Sequence, residues 1–196
     1  KECDWSSDVC SSDLTGENIG AYAINQGSLA LNSNYTLTYV LDSLIIGTRA
    51  VTVAADTLTK VYGDTDPSLT YAITAGTLVS GDAFTGALSR VTGENVGVYA
   101  IDQNTLALSS NYALTYVGAD LTITTRAITV TADSISRQYG EIDPALTYKH
   151  TGTLAFTDAF SGTLTRDVGE IVGTYNITQG TLALSGNYVL TFVPDF

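Results

Sequence analysis

Several residue types are scarce or missing in this chain of 196 residues. It has no methionine, one tryptophan, one histidine and three prolines, and its two cysteines, Cys3 and Cys10, both lie near the start. The chain after Cys10 therefore has no thiol for nucleophilic catalysis, for a thiolate metal site or for a disulfide. Because even an initiator methionine is missing, we expect the sequence to be an internal piece of a longer protein.

Basic charge is also scarce. The chain has 8 lysines and arginines against 20 acidic residues, which gives a formal net charge of −12. A nucleic-acid backbone is bound by clustered basic residues, so this balance excludes nucleic acid as a partner. No apolar run is long enough for a helix to span a bilayer. The hydrophobic fraction of 44% is nevertheless too high for a disordered acidic tail and predicts a folded core.

The first fourteen residues differ in kind from everything that follows. They read KECDWSSDVCSSDL and hold both cysteines and the only tryptophan. Residues 3–14 resemble a translated sequencing adaptor. We therefore expect residues 1–14 to be an unstructured artefact and leave them out of the fold.

The rest of the chain repeats itself at a period of about 77 residues. TGENIGAYAI at 15–24 recurs as TGENVGVYAI at 92–101, and again as VGEIVGTYNI at 168–177. A fixed period of this kind indicates a tandem array. It predicts the C-terminal half of a first repeat at 15–48, a complete repeat at 49–125 and a third repeat, without its last strand, at 126–196.

Within each repeat the apolar residues alternate with polar ones, which is typical of half-buried strands. Val51 and Val53 alternate with threonine or alanine, as do Ile128 and Val130. Gly-Asp, Asp-Pro and Gly-Asn pairs between the runs are turn formers. We predict a mainly β fold of small tandem modules. One short helical turn is predicted in each repeat, at 81–84 and at 157–160.

The junction between the second and third repeats is short and has no flexible composition. The run LTITTRAITVTA at 121–132 joins two predicted strands without a Gly, Pro or Ser tract. A flexible linker has a different composition. We therefore predict a stiff joint and a rod-like array.

Three motifs occur in the same order in successive repeats. They are YG[D/E]xDPxLTY, G-x-Y-[AN]-I and a closing NYxLT[YF]V strand. Together they resemble the MBG repeat, Tyr-Gly type, of bacterial secreted and surface proteins, including filamentous haemagglutinin-like adhesins. The resemblance implies a β-rich module, either an immunoglobulin-like sandwich or a β-grasp-like sheet. It implies no catalytic residues.

The strongest chemical candidates are two acidic turns. Asp64 and Asp66 lie soon after the first predicted strand of the second repeat, and Glu141 and Asp143 occupy the same positions in the third. Alternating carboxylates supply the hard oxygen ligands that Ca²⁺ prefers, so these four residues are predicted calcium ligands. The alternative is a plain turn whose carboxylates accept backbone N–H groups. No other cofactor is predicted.

Other candidate sites are weaker. Glu94 lies in a turn that offers a second oxygen site, or only a connection between strands. Tyr99 and Tyr175 fit a core position better than a platform for sugars. His150 has no histidine counterpart in the second repeat, so a Ser-His-Asp arrangement cannot be built in each repeat.

The sequence thus predicts a non-enzymatic stalk or adhesion segment of a large exported bacterial protein. Its expected place is secreted or at the cell surface, in association with the outer membrane. Its predicted partners are adjacent repeats of the same chain and a host-surface protein or glycan. The alternatives are a polysaccharide-binding accessory module of a secreted enzyme and a calcium-stiffened spacer.

Overall fold

The computed structural model describes residues 18–196, so the prediction for residues 1–14 lies outside the described range. Between residues 18 and 196 the chain forms strands and turns and no helix, and so has no helix able to cross a membrane. The strands are β1 (Gly20–Ile24), β2 (Asp42–Ile46), β3 (Arg49–Ala55), β4 (Leu58–Val61), β5 (Tyr71–Ala75), β6 (Ser89–Arg90), β7 (Gly97–Asp102), β8 (Tyr112–Val117), β9 (Ala119–Thr124), β10 (Arg126–Ala132), β11 (Tyr148–Thr151), β12 (Thr165–Arg166), β13 (Ile177–Thr178) and β14 (Tyr188–Val193).

The described chain divides into two compact units. The first holds residues 18–54 together with 72–87 and 105–117. In this unit β1 and β2 form an antiparallel pair, and β5, β3 and β8 form a second sheet in that order. The pairing of β3 with β8 is parallel, with Arg49 opposite Tyr112.

The second unit holds residues 55–71, 88–104 and 118–196. It contains a four-stranded sheet in the order β4-β9-β7-β6, a three-stranded sheet in the order β11-β10-β14, and the pair β12-β13. The pairing of β10 with β14 is parallel and repeats the register of β3 with β8, since Arg126 lies opposite Tyr188. The sheet β11-β10-β14 of the third repeat therefore reproduces the sheet β5-β3-β8 of the second.

The predicted alternation of buried and exposed residues is confirmed. Val51 and Val53 on β3 are 1% and 0% exposed, and Ile128 and Val130 on β10 are 1% and 0% exposed. The threonines between them point away from the core. β-Branched side chains favour this pleated, half-buried geometry. The prediction of a mainly β fold in tandem repeats is confirmed with it.

The helical turns predicted at 81–84 and 157–160 are wrong. Each segment instead has one tight turn, closed by Asp82 N–H to Val79 C=O at 3.0 Å and by Asp158 N–H to Ala155 C=O at 3.1 Å. Gly81 in the first turn has φ of 94° and Phe156 in the second has φ of 51°, so neither turn has the right-handed backbone of a helix. The turns place the two aspartates where tyrosine hydroxyl groups reach them.

The compact units are out of phase with the sequence repeats. The second repeat contributes β3, β5 and β8 to the first unit, and β4, β6, β7 and β9 to the second. The buried cluster of the second unit contains Tyr62 and Ile123 from the second repeat beside Ile128 and Val130 from the third. The junction between these repeats therefore lies inside a packed core.

Candidate functional site

Four charged side chains of the second repeat form a cluster, which we call the charge cluster: Lys60, Asp66, Arg90 and Glu94. Lys60 Nζ lies 2.6 Å from Asp66 Oδ1 and 2.6 Å from Glu94 Oε2. Arg90 binds the other sides of the same two carboxylates, at 2.6 Å and 2.5 Å. Strands β4 and β6 carry the two basic residues, and the turns that follow those strands carry the two acids. The cluster thus ties two turns together.

The guanidinium of Arg90 uses all of its donors. Nε and Nη2 donate to Asp66, Nη2 also donates to Glu94, and Nη1 donates to the carbonyls of Val91 and Gly93 at 2.9 Å and 2.7 Å. A planar fork of five N–H groups suits this task and a lysine does not. The guanidinium also lies 5.4 Å from the centre of the Tyr99 ring. Arg90 therefore fixes the loop between β6 and β7.

The same cluster occurs in the third repeat. Its members are Arg137, Asp143, Arg166 and Glu170, with Arg137 in the place of Lys60. Arg166 donates to Asp143 at 2.8 Å and to Glu170 at 2.7 Å, and it lies 5.4 Å from the centre of the Tyr175 ring. Arg137 also binds both carboxylates. The third repeat thus keeps the charge pattern of the second.

The cluster holds its members in their charged forms. Hydrogen bonds from Arg90 and then Lys60 lower the pKa of Asp66, and bonds from Lys60 and then Arg90 lower the pKa of Glu94, both against the effect of burial. Burial acts to lower the pKa of Lys60, but hydrogen bonds to the two acids outweigh it and the pKa is raised. These groups therefore do not exchange protons near neutral pH, which favours a structural role.

Replacing Arg90 is expected to weaken the fold in a pH-dependent way. The folded-state pKa values of Asp66 and Glu94 are lowered, so their stabilisation is present above about pH 4 and is lost as the pH falls through the folded values. Arg90→Gln should lower the free energy of unfolding by about 1–2 kcal/mol at neutral pH, discounted because both acids are partly exposed. The difference from the wild type should shrink below about pH 4.

Urea denaturation at a series of pH values measures this difference. Lys149→Gln is the control, because Lys149 is 86% exposed in its side chain and pairs with Asp133 only at 3.3 Å. It should change stability little at any pH. If the free energies of unfolding of Arg90→Gln and the wild type differ by the same amount from neutral to acid pH, the ionised carboxylates of Asp66 and Glu94 do not account for the effect of Arg90.

The predicted calcium ligands lie in these clusters and at the junction. Asp66 and Asp143 each pair with two basic side chains, and Asp64 pairs with Arg126. The Glu141 carboxylate accepts the backbone N–H of Gln138 at 3.0 Å. Among residues 18–196 no three His, Cys, Asp or Glu side chains are grouped so as to hold a metal. The calcium site stays a prediction, which calcium titration followed by calorimetry tests.

Tyr62 of the second repeat makes side-chain contacts with the third repeat. Its hydroxyl donates to Asp158 Oδ2 at 2.9 Å, and Tyr188 donates to the same oxygen at 2.7 Å. Its ring packs edge-on against Tyr188 and Phe156, with centroids 5.4 Å and 5.6 Å apart. Only 4% of Tyr62 is exposed. We call the contacts of this tyrosine and its neighbours the repeat joint.

Hydrogen bonds to the backbone complete the repeat joint. Arg126, the first residue of β10, donates from Nε to the Tyr62 carbonyl at 2.5 Å. Asn187 accepts from the Val96 backbone N–H at 2.9 Å and donates to the Asn95 side chain at 3.0 Å. These bonds link β10 and the start of β14 to loops of the preceding repeat.

The asparagine bridge occurs a second time, inside the first compact unit. Asn111 accepts from the Ile19 backbone N–H at 3.0 Å and donates to Asn18 at 2.8 Å. Asn111 and Asn187 occupy the same place in successive repeats, as do Asn18 and Asn95. The first and second repeats are thus joined by the same pair of bonds as the second and third.

The environment of the Tyr-Gly pair depends on the following repeat. Tyr62 is 4% exposed, whereas Tyr139, its counterpart in the third repeat, is 76% exposed. A Cβ added at Gly63 would lie 2.3 Å from Ala155 Cβ of the third repeat, whereas one added at Gly140 would meet nothing within 4 Å. The Tyr-Gly motif is therefore a surface that packs against the next repeat.

Sequence reasoning missed the basic half of each charge cluster and the role of Tyr62. One signal was present. Basic residues are rare in this chain, yet a positive charge recurs at 60 and 137 and again at 90 and 166. Basic side chains at equivalent places in both repeats, in a chain with so few of them, indicate that the acidic turns have fixed basic partners.

Comparison with known proteins gives one family. The family model described as MBG domain (YGX type) matches residues 51–122 and again 128–195, together well over half of the chain. Both matches fall within the predicted second and third repeats. No curated protein and no solved structure is significantly similar to the chain.

Proposed function

The chain belongs to the MBG domain family of YGX type, with two matched repeats in tandem, and from this premise we propose that it is a non-enzymatic spacer segment of a large exported bacterial surface protein. Its repeats extend the chain outward and present a binding region away from the cell. Tandem modules also allow many weak contacts with a host-surface protein or glycan. Such multivalent binding gains strength from the number of modules rather than from any one contact.

The observation that carries this proposal is the repeat joint. β10 begins at Arg126, two positions after β9 ends at Thr124, and the side chains around Tyr62 are packed and hydrogen-bonded across the junction. A segment of this kind has no freedom to act as a flexible linker. Repeats joined in this way suit a spacer, which must hold a binding region at a fixed distance.

The chemistry of the charged residues supports a structural role. In both charge clusters the acids and bases neutralise one another, and the guanidinium groups also hold backbone carbonyls. The single histidine, His150, lies in β11 with its ring centroid 5.3 Å from that of Phe160. None of these groups forms an arrangement of nucleophile, base and orienting acid.

Small-angle scattering on chains of different repeat number tests the proposal. One or two extra copies of residues 49–125 are inserted after Thr125, so that the last junction of each chain is the natural one between Thr125 and Arg126. The maximum dimension should grow by a similar increment for each added copy. A matched chain with a Gly-Ser segment after Thr125 should give a broader distribution of lengths.

Two outcomes would contradict the proposal. A maximum dimension that does not grow with repeat number would exclude a spacer. Tight, saturable binding of one polysaccharide to the unmodified chain on a glycan array would instead favour an accessory binding module.

A further inference from the structure

In the second repeat, an early strand pairs in parallel with a late one. In this pairing of β3 with β8, Arg49 lies opposite Tyr112 and Ala54 lies opposite Val117. The Arg49 N–H donates to the Asn111 carbonyl at 2.8 Å, so hydrogen bonding begins at the first residue of β3. We call these six residue pairs the first ladder. The chain enters the first ladder on β3 at one end and leaves it on β8 at the other.

A second ladder follows in the same repeat. β4 pairs in parallel with β9, from Leu58 opposite Leu121 to Val61 opposite Thr124, and the register continues that of the first ladder. The Tyr62 N–H donates to the Thr124 carbonyl at 2.9 Å at the far end. Each ladder lies within one compact unit. In the second ladder, too, the chain enters on the earlier strand and leaves on the later strand at the opposite end.

The third repeat has a ladder of the first kind. β10 pairs in parallel with β14, from Arg126 opposite Tyr188 to Thr131 opposite Val193. The Arg126 N–H donates to the Asn187 carbonyl at 3.0 Å, which matches the bond at the start of the first ladder. The parallel pairing of an early strand with a late one is therefore a property that the two repeats share.

Buried side chains back the ladders of the second repeat on one face. Val51 and Val53 on β3 are 1% and 0% exposed, and Leu121 and Ile123 on β9 are 0% and 1% exposed. A backbone hydrogen bond beside an apolar layer is stronger than one in water. Sliding one strand past the other also moves these side chains out of a closely packed interior. Packing therefore adds to the resistance of the hydrogen bonds.

The direction of two paired strands decides how tension acts on them. In a parallel pair the chain enters and leaves at opposite ends, so a pull along the chain slides one strand past the other and strains all the hydrogen bonds together. In an antiparallel hairpin the chain enters and leaves at the same end, so a pull opens the bonds one at a time. Residues 62–111 connect the paired strands of the second repeat and come under tension only after the ladders separate.

We propose that each repeat is a mechanical clamp, in which the parallel ladders resist tension along the chain. This inference rests on the proposed spacer function, because a spacer whose binding region holds a ligand is pulled from both ends. In the second repeat the pull enters at Arg49, leaves at Thr124 and acts on both ladders in shear. In the third repeat it acts in shear on the pairing of β10 with β14. The resistance is set by the rate of forced unfolding rather than by equilibrium stability.

Single-molecule force spectroscopy on the full chain tests the clamp. Cys3→Ser and Cys10→Ser remove the natural thiols, and Gly47→Cys with Thr125→Cys supplies handles beyond the opposite ends of the ladders. Both handle positions are open, because a Cβ at Gly47 meets nothing within 4 Å and Thr125 is exposed. We call this variant the shear chain, because pulling between its handles slides the paired strands past each other.

A matched variant changes the direction of the pull. It combines Gly47→Cys with Ser110→Cys, and Ser110 is exposed. Both handles then lie at the same end of the first ladder, because Arg49 is opposite Tyr112. The first ladder opens pair by pair in this variant. We therefore expect the rupture force of the shear chain to be at least about twofold higher at the same loading rate.

The third repeat gives an independent comparison. Thr125→Cys with Pro194→Cys pulls its ladder in shear, whereas Thr125→Cys with Gly186→Cys pulls it open from one end. A Cβ at Gly186 meets nothing within 4 Å, and Pro194 is exposed. The variant pulled in shear is again expected to rupture at the higher force.

Equal rupture forces in the two directions would overturn the clamp for the repeat in which they are found. The clamp and the spacer fail separately. Equal forces together with a maximum dimension that grows with repeat number leave a spacer without a clamp. Higher forces in shear together with a dimension that does not grow leave a clamp without a spacer.

Discussion

Tyr62→Ala is expected to lower the free energy of unfolding of the second compact unit by about 3–5 kcal/mol. The substitution removes an aromatic ring that is 4% exposed and packs edge-on against Tyr188 and Phe156. It also removes one of the two hydroxyl groups that bind Asp158. The space left lies between two repeats in a buried cluster. Urea denaturation followed by circular dichroism measures the loss.

The chain contains its own control for this prediction. Tyr139→Ala makes the same change at the equivalent place in the third repeat, where the side chain is 76% exposed, and should change stability by no more than about 0.5 kcal/mol. Tyr62→Phe separates the ring from the hydroxyl and should cost about 1 kcal/mol. Equal losses for the Tyr62→Ala and Tyr139→Ala chains would show that the repeat joint does not depend on this ring.

Gly162→Ala is expected to cost about 3 kcal/mol or more, because two penalties coincide. Gly162 has φ of 76°, in the left-handed region that residues with a Cβ rarely adopt. An added Cβ would also lie 2.1 Å from the Thr181 carbonyl oxygen, which is backbone and cannot rotate away. The loop at Gly162 lies next to the bridge between Ser161 and Ala183, so a shift there breaks a paired segment.

Gly140→Ala is the matched control, because it introduces backbone strain without a steric clash. Gly140 has φ of 86°, yet a Cβ there would meet nothing within 4 Å. It should cost about 1 kcal/mol, the lower end of the penalty for a left-handed residue. Thermal and urea denaturation of the two chains compare them directly. Equal losses of stability for Gly162→Ala and Gly140→Ala would mean that the loop avoids the close contact with Thr181 without a further loss of free energy.

The repeat and the strand pattern were readable from the sequence because both are local or periodic properties. The buried faces of β3 and β10 follow directly from the alternation around Val53 and Val130. The helical turn at 157–160 was predicted wrongly because the chain instead makes a tight turn at 155–158, around Phe156 with φ of 51°. A left-handed residue that is not glycine leaves little trace in a sequence.

Only part of the candidate site could be predicted from the sequence. The acidic turns at Asp66 and Asp143 stand out in the sequence, but their partners lie 24 and 23 residues further on, at Arg90 and Arg166. In the second repeat, which cation meets a carboxylate depends on how β4 and β6 are brought together in one sheet. From residue type alone, the carboxylates could therefore bind a metal, accept hydrogen bonds from the backbone of a turn or form ion pairs.

The amino-acid sequence by itself determined the length of the repeat, its strand alternation and the positions of its turns, because these depend on neighbours in the chain. It did not determine the environment of Tyr62 and Tyr139, which share the Tyr-Gly motif and yet are 4% and 76% exposed. Only the tertiary structure decided that difference. Burial depends on what packs against a side chain from outside its own segment, and Tyr62 has a following repeat against it, where Tyr139 faces solvent.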